Sequence, residues 1–405
     1  MARDSPKSSS RRLARQRCVQ ERSSNGPSVK GGSEALGERV MAAGTCNTGA
    51  HINPFTHITR RGLKIPSRVI LAPINTGFAS NGTPTDRLLQ FHSLRASHAV
   101  GVSFLGNVAV HEHGLPNPHT AILRASTDLA PFGALADCMW ARGSVPGIQL
   151  AHSLGALAPR RAWQAPDASA ELARLRDLVV SISAVDIATA LTRFQTSVRL
   201  ASVAGFQVIQ LHAAHGYLLS LLLSPRVNVR VDSFRFDAQW LEDLIQNAIA
   251  AAGPALLSVR ISALLGLASA QEEADDAAVL VDRLTAAGVD IIDLSAGLYT
   301  LDRRLIYPNH RWNAPVYLDV LPRIVSQTGA LVIIGGRLTD IPAAARLLSD
   351  NVLLAFGRAF IADHGFAVKS MEGRDSEITR CALTNRCHYF SRGRQHLECG
   401  VNTHL

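Results

Sequence analysis

The chain has 405 residues, 47% of them hydrophobic, which is enough for the core of one large domain or two ordinary ones. Nine basic and four acidic residues fall within residues 1–41, so +5 of the net charge of +9 belongs there and +4 to the rest. Because the chain beyond residue 41 is only mildly basic, its charge argues against a nucleic-acid partner. No apolar run reaches the roughly 18 to 20 residues of a membrane span, and no signal-peptide segment opens the chain.

Residues 1–48 are rich in Ser, Gly and Arg and show no hydrophobic period. We expect a disordered basic tail here. A mitochondrial transit peptide is one alternative, although four acidic residues, Pro6 and Pro27 argue against it. A natural start near Met41 is another. The six cysteines are mostly scattered, which indicates a reducing, cytoplasmic location.

From about residue 66, short apolar runs alternate with longer segments of helical period, as in βα units with a parallel sheet. Two predicted helices, 184–204 and 272–287, are each followed by a glycine, Gly205 and Gly288, suited to a left-handed C-cap. Eight repeats favour a closed (β/α)8 TIM barrel, placed at residues 49–375, over an open doubly wound sheet. The predicted strands are 69–73, 101–107, 147–151, 206–212, 256–262, 289–295, 330–335 and 352–357.

The last two predicted strands end in Gly335-Gly336-Arg337 and Gly357-Arg358. Barrels often bind phosphate with the loops after strands seven and eight, where glycines let the backbone approach and arginine clamps the anion. We therefore predict a phosphate site. The alternative is a pair of ordinary turns with surface arginines.

Arg260 ends the fifth predicted strand, inside the barrel mouth. A cation there would stabilise the negative charge of a reduced flavin. The alternative is an arginine paired to a barrel carboxylate, which would offset the cost of burying it.

His212 and His215 stand three residues apart at the end of the fourth predicted strand, followed by Tyr217. Two imidazoles can hydrogen-bond a carbonyl or phenolate oxygen, and a phenol can protonate a carbon that becomes carbanionic after hydride transfer. A metal pair is an alternative without a third ligand at a useful spacing. The other alternative is that both histidines have only a structural role.

Two stretches of this region are the most specific: His212-Ala-Ala-His-Gly-Tyr-Leu-Leu, and Leu-Ser-Pro-Arg-Val-Asn-Val-Arg-Val-Asp at 223–232. Over residues 50–400 the chain resembles the Old Yellow Enzyme family of NAD(P)H:flavin oxidoreductases. The resemblance implies a barrel holding FMN, with NADH or NADPH as reductant. His212 and His215 would hold the substrate oxygen, and Tyr217 would donate a proton. The implied FMN contacts are Ala72, Pro73, Asn75, Gln149, Arg260, Gly336, Arg337, Gly357 and Arg358.

The chain departs from the family pattern at the rim of the implied pocket. Asn75 stands where the family carries Thr or Cys, a side chain that tunes the flavin through its O4 atom. Phe234 and Arg235 replace a Tyr-Gly-Gly segment, and the stretch from His152 lacks the usual arginine.

Residues 376–405 are expected to form a cysteine-containing extension packed on the barrel. Cys381, Cys387 and Cys399 resemble the cluster motif of the dienoyl-CoA reductase branch, with Thr384 in place of the fourth cysteine. We expect a remnant without metal. The alternatives are a [4Fe–4S] cluster, or zinc with His388 as the fourth ligand.

The sequence therefore predicts an FMN-dependent ene-reductase that passes hydride from NAD(P)H to an activated C=C bond of a small enone-like molecule. It predicts no nucleic-acid or membrane partner and is compatible with a homo-oligomer. Two other functions stay open: a degenerate flavin- or metabolite-binding barrel with a regulatory role, and an FMN-dependent dehydrogenase or demethylase.

Overall fold

A computed structural model describes residues 52–154, 167–309, 315–326, 328–403 and 405. The expected basic tail, residues 1–48, lies outside the described residues. The strands, in chain order, are β1 (Ile58–Arg60), β2 (Leu63–Ile65), β3 (Val69–Ile74), β4 (Ala79–Ser80), β5 (Thr83–Pro84), β6 (Val102–Ala109), β7 (Val145–Ala151), β8 (Val208–Ala213), β9 (Leu256–Leu264), β10 (Ile291–Ala296), β11 (Leu331–Ile334) and β12 (Val352–Phe356).

β3 and β6 to β12 form a closed barrel in which every neighbouring pair is parallel and β12 returns to pair with β3. This confirms the predicted (β/α)8 barrel. β1 and β2 form an antiparallel hairpin, and so do β4 and β5.

Helices follow the barrel strands and cover them from outside. They are α1 (Asp86–Ser93), α2 (Ala130–Ala141), α3 (Ala168–Ser181), α4 (Ala184–Val203), α5 (Leu218–Leu222), α6 (Trp240–Ala252), α7 (Ala270–Ala286), α8 (Arg303–Ile306), α9 (Leu321–Val325), α10 (Ile341–Ala344), α11 (Arg358–Ala362) and α12 (Phe366–Met371).

Local sequence signals explain where the longer helices begin and end. Ser269 starts α7 with a capping box, in which its hydroxyl accepts from the Glu272 N–H and the Glu272 carboxylate accepts from the Ser269 N–H. Gly205 and Gly288 have φ of +94° and +98°, the left-handed conformation expected just beyond α4 and α7.

The interior of the barrel changes character along its axis. One buried apolar cluster fills the end at which the strands begin, and Ile58 and Leu63 of the β1–β2 hairpin pack against it. Polar side chains such as Gln149 and Gln210 follow further along β7 and β8, still buried. The apolar layer fixes the strands, so the polar groups near their carboxyl ends are held on a rigid frame.

Candidate active site

A cavity of about 240 Å³ opens at the carboxyl ends of the barrel strands. The structure brings to its wall all twelve residues that the sequence analysis assigned to catalysis or to FMN binding. They are Ala72, Pro73, Asn75, Gln149, His212, His215, Tyr217, Arg260, Gly336, Arg337, Gly357 and Arg358.

His212, His215 and Tyr217 form one buried aromatic group, each at most 6% exposed. The His212 ring lies 5.0 Å from that of His215 and 4.8 Å from that of Tyr217, both edge to face. The turn after β8 makes this possible, because His215 has a φ of +66° and Gly216 a φ of +81°. The side chains of His215 and Tyr217 therefore both turn back towards His212.

The two imidazoles are neutral at neutral pH. Burial lowers the pKa of His212 well below its ordinary value, and the nearby Arg260 guanidinium adds to this. The pKa of His215 is lowered by burial, by His212 and by Arg260. The Nδ1 atom of His212 is buried and has no hydrogen-bond partner among the described residues. Such an atom costs about 1–3 kcal/mol unless a ligand or water completes it.

Arg260 on β9 has the barrel carboxylate that one of its two sequence interpretations expected, and it also lines the cavity. Its Nη1 lies 3.5 Å from Asp293 Oδ2, and its Nη2 donates to Ser295 Oγ over 3.2 Å. Burial raises the pKa of Asp293, while Arg260 lowers it. Arg260 is thus paired to a barrel carboxylate and also lines the cavity. Its contact with flavin stays a prediction.

A hydrogen-bonded chain continues from Asp293 across the barrel. Gln210 Nε2 donates to Asp293 Oδ2 over 3.1 Å and to Ser258 Oγ over 3.0 Å. Gln149 Nε2 donates to Gln210 Oε1 over 2.7 Å. On the other side, Ser295 Oγ lies 2.7 Å from His215 Nε2. The predicted residues Gln149, Arg260 and His215 are therefore members of one buried polar network.

The loops after β11 and β12 form a cationic corner. Gly336 has a φ of +90°, and a Cβ added there would meet nothing within 4 Å, so its backbone is open to the cavity. Arg337 Nε donates to the Asn309 carbonyl over 3.0 Å, and Arg358 Nη1 to Asn385 Oδ1 over 2.8 Å. Burial lowers the pKa of Arg337, and the neighbouring charge of Arg358 lowers it further. An anion would relieve this repulsion.

The amide of Asn75 uses its full hydrogen-bonding capacity on the protein. Its Nδ2 donates to Asn107 Oδ1 over 2.9 Å and to Thr120 Oγ1 over 2.8 Å. Its Oδ1 accepts from the Gly77 N–H and from the Tyr389 hydroxyl. A carboxamide has two donors and two lone pairs. The position that the resemblance assigns to flavin tuning is therefore fixed by four neighbours.

Sequence reasoning missed several residues of the cavity wall. Tyr299 stacks on Tyr217, and its hydroxyl lies 2.6 Å from that of Tyr307. The Tyr317 hydroxyl lies 2.7 Å from the Gly335 carbonyl and accepts from the Gly335 N–H, and burial raises its pKa. The residues added by the C-terminal segment, defined as residues 376–405, include Cys387, His388, Tyr389, Phe390, Ser391 and Leu397.

Cys381, Cys387 and Cys399 line a separate cavity of about 20 Å³, together with Thr384 and Arg358. Burial raises the pKa of Cys387 to about 11, so this thiol is protonated at neutral pH. Among the described residues no group of three or more His, Cys, Asp or Glu side chains is arranged to hold a metal. That the motif is a remnant stays a prediction.

Comparisons with known proteins give one consistent result. Residues 54–377 match the model of the NADH:flavin oxidoreductase / NADH oxidase family. An NADH:flavin oxidoreductase of Gibberella zeae is 30% identical over 289 residues, 63% of this chain and 69% of that protein. An NADH oxidase of Thermoanaerobacter brockii is 27% identical over 371 residues, which are 86% of this chain and 56% of that longer protein. An NADPH dehydrogenase of Bacillus subtilis is 26% identical, with coverage of 80% and 96%.

Two solved structures share the fold. A 2-naphthoyl-CoA reductase in complex with 2-naphthoyl-CoA superposes with a TM-score of 0.72 at 17% identity, covering 86% of this chain and 57% of that one. Morphinone reductase in complex with tetrahydroNAD gives a TM-score of 0.62 at 18% identity, covering 80% of this chain and 91% of that one.

In the described part of the chain, no helix has the length and apolarity to cross a membrane.

Proposed function

The chain belongs to the NADH:flavin oxidoreductase / NADH oxidase family, and from that premise we propose that it is an ene-reductase acting on the activated C=C bond of a small enone-like molecule. Membership makes it an oxidoreductase that uses FMN and a nicotinamide reductant, and it confirms the resemblance to Old Yellow Enzyme. The observation that carries the proposal is the meeting of His212, His215, Tyr217 and Arg260 in one cavity.

The charges that line the cavity fit FMN. Arg337, Arg358 and the open backbone of Gly336 suit its phosphate. The Arg260 guanidinium suits the negative charge of the reduced ring, and Asp293 limits how strongly it acts because the two are paired at 3.5 Å. When bound, FMN supplies the hydride. The remaining functions fall to the side chains of this chain.

We assign substrate binding to the two neutral histidines. A neutral imidazole has one N–H donor, so His212 and His215 together can offer two bonds to a carbonyl oxygen. These bonds strengthen as negative charge develops on that oxygen, which draws electron density from the conjugated alkene. The buried, unpartnered Nδ1 of His212 supports this role, because a substrate oxygen would complete it.

We assign the proton to Tyr217. The ring of Tyr217 contacts that of His212. Tyr217 also belongs to the same short turn after β8 as His215, so its hydroxyl lies on the segment that holds the oxygen-binding groups. A phenol there can protonate the α-carbon after hydride reaches the β-carbon, and solvent then restores the phenol.

The test separates the two half-reactions by rapid mixing. Tyr217→Phe is expected to slow the reduction of cyclohex-2-enone by the reduced enzyme about 100-fold, a typical contribution of general acid catalysis. The reduction of the bound flavin by NADPH should stay within about twofold of the normal rate, since that step needs no proton from Tyr217. Equal losses in both half-reactions would reject the assignment. Unchanged phenol binding by His212→Ala would reject the oxygen-binding role.

A flavin that NADPH reduces but no enone reoxidises would instead favour the degenerate or oxidative alternatives.

The proposal also covers the domain organisation, the location and the oligomeric state of the protein. We infer a basic tail at 1–48, a barrel at 49–375 and a C-terminal extension packed on it. We infer a reducing, cytoplasmic location, supported by free thiols at Cys138, Cys381, Cys387 and Cys399. Self-association into a homo-oligomer is compatible with the chain.

A further inference from the structure

Ser295 links the Arg260 guanidinium to the imidazole of His215. Its Oγ accepts from Arg260 Nη2 over 3.2 Å and lies 2.7 Å from His215 Nε2. The three residues all line the active-site cavity, and Ser295 itself is buried. Because Ser295 belongs to the barrel strand β10, its hydroxyl has a fixed place between the two neighbours.

The single hydroxyl proton of Ser295 is directed to His215. A guanidinium can only donate, so Arg260 occupies a lone pair of the Ser295 oxygen and leaves the proton of that hydroxyl available. Among the described residues, the other hydrogen-bond partner of the oxygen is His215 Nε2, so this nitrogen receives the proton's hydrogen bond. A nitrogen that accepts a hydrogen bond carries no proton itself. The network therefore makes Nε2 the unprotonated nitrogen of the ring.

The one proton of the neutral His215 ring then lies on Nδ1. Burial keeps this imidazole neutral, because it lowers the pKa well below its ordinary value. Nδ1 is buried and has no hydrogen-bond partner within the part of the chain that the structure describes. A buried N–H group left in this state costs about 1–3 kcal/mol. An acceptor oxygen on a ligand in the cavity would remove that cost.

The opposite tautomer would leave two groups unsatisfied. With the proton on Nε2, that nitrogen would donate to the Ser295 oxygen, and the hydroxyl proton would have no acceptor in the described ranges. Nδ1 would then carry a lone pair, which repels a carbonyl or phenolate oxygen. The Ser295 hydroxyl therefore decides whether His215 attracts or repels such an oxygen.

Resting on the proposed function, we propose that Ser295 is a positioning residue that holds His215 as the Nδ1–H tautomer and so makes it a donor to the substrate oxygen. Ser295 acts through the imidazole and is not itself a catalytic group. Arg260 strengthens the arrangement, because a hydroxyl that accepts from a cation becomes a stronger donor.

Nitrogen NMR reads the tautomer directly. The flavin-loaded, oxidised enzyme is prepared with isotope-labelled histidine, whose protonated and unprotonated ring nitrogens give distinct signals. The signals that disappear in His215→Gln identify the ring. In the wild type, Nδ1 of His215 should be the protonated nitrogen. In Ser295→Ala the Nε2–H form should appear, because no hydroxyl then donates to Nε2.

Phenol binding gives a second readout that needs no assigned signal. The dissociation constant of 4-chlorophenol from the oxidised, flavin-loaded enzyme should rise about tenfold in Ser295→Ala, as the loss of one hydrogen bond predicts. Ser295→Thr keeps a hydroxyl at this position. It should therefore restore the Nδ1–H form and bring the affinity back to within about threefold of the wild type.

Ser262→Ala is the matched control. The Ser262 hydroxyl also bonds to His215, but it accepts from the backbone N–H, over 3.0 Å. Its removal loosens the same residue without changing which ring nitrogen is protonated, so the Nδ1–H signals should persist. Ser258→Ala removes another hydroxyl of the buried network, one that accepts from Gln210, and should also keep the Nδ1–H form.

The outcomes separate this assignment from the proposed function. An Nε2–H imidazole in the wild type, or unchanged phenol binding in Ser295→Ala, overturns the assignment while ene-reduction stands. An equal change of tautomer in Ser262→Ala would overturn it as well, because general loosening of His215 would then be the cause. Weaker phenol binding with an unchanged tautomer would place the effect on Arg260 and overturn it too. If the tautomer behaves as expected but no enone reoxidises a flavin that NADPH has reduced, the proposed function fails and the assignment of Ser295 stands.

Discussion

The phenol of Tyr389 donates a hydrogen bond to Asn75 Oδ1 over 2.7 Å and so ties the C-terminal segment to the end of β3. The same hydroxyl accepts from Asn117 Nδ2 over 3.2 Å. A second tie lies close by, where the Leu397 N–H donates to the Thr76 carbonyl over 2.7 Å. The segment that carries the cysteines therefore completes the wall of the active-site cavity.

Removing this hydroxyl should loosen the segment without emptying the site. Tyr389→Phe leaves the Asn75 and Asn117 amides each short of a partner, so we expect the free energy of unfolding to fall by about 1–2 kcal/mol. Hydrogen exchange of residues 376–403 should speed up relative to the barrel strands. Urea unfolding and exchange mass spectrometry measure the two effects. Phe390→Leu is the control, because Phe390 is 41% exposed and has no hydroxyl to lose.

The barrel could be predicted from the sequence because its strands are buried on both faces and therefore read as short apolar runs. The predicted strand 352–357 and the observed β12 differ by one residue, and 256–262 extends by two in β9. The sixth predicted strand starts two residues early, because Val289 and Asp290 precede β10, which begins at Ile291. Apolar character alone does not mark that boundary.

The site could be predicted only where motif and strand end coincide. His212, Arg260 and Arg358 each close an apolar run, so their position near the barrel mouth follows from the strand count. Tyr317 and Tyr389 have no such signal. They reach the cavity from segments outside the barrel strands, and only the folded chain shows that Tyr317 bonds to the backbone of Gly335. Tyr299 and Arg303 could have been suspected, since they follow the sixth strand end.

The pair of Arg260 and Asp293 should set the redox potential of the bound flavin. Asp293→Asn removes a buried negative charge and leaves the guanidinium uncompensated, which favours the anionic reduced ring. We expect the midpoint potential to rise by about 30 mV, which corresponds to about 1.4 kcal/mol for a two-electron couple. Spectroelectrochemical titration measures this. Asp290→Asn is the matched control, because Asp290 is equally buried but pairs with Arg60 and Arg61 at the start of β10. A fall in potential, or an equal shift in the control, would contradict the assignment.

The cationic corner should distinguish FMN from riboflavin. Arg358→Met removes one of two guanidiniums at the predicted phosphate site, so the apoprotein should bind FMN about 100-fold more weakly. Riboflavin has no phosphate, and its affinity should change by less than about threefold. Quenching of flavin fluorescence measures both. The exposed Arg386, from the same C-terminal segment, gives the control Arg386→Met. Equal losses for both flavins would mean that Arg358 supports the fold instead of the phosphate.

The buried histidines should make stability fall as the pH drops below about 6.5, the ordinary pKa of an unfolded histidine. Burial lowers the pKa of His212 well below that value, that of His152 to about 4 and that of His92 to about 3. Between the pKa of each histidine in the folded chain and 6.5, the unfolded chain binds a proton at that histidine and the folded chain does not. The stability is therefore complete above pH 6.5 and is lost on acidification, by up to about 1.4 kcal/mol per pH unit for each histidine.

One of these contributions can be isolated at the active site. His212→Gln should reduce the slope of unfolding free energy against pH by about 1.4 kcal/mol per unit between pH 5 and 6, a window above the ordinary pKa values of carboxylates. Urea unfolding at several pH values measures the slope. Tyr217→Phe is the control, because it alters the same cavity without removing an imidazole, and its slope should equal that of the wild type. If His212→Gln kept the full slope, His212 would titrate alike in the folded and unfolded chains, and below about pH 6.5 a cationic imidazole would face the substrate oxygen in place of a neutral one.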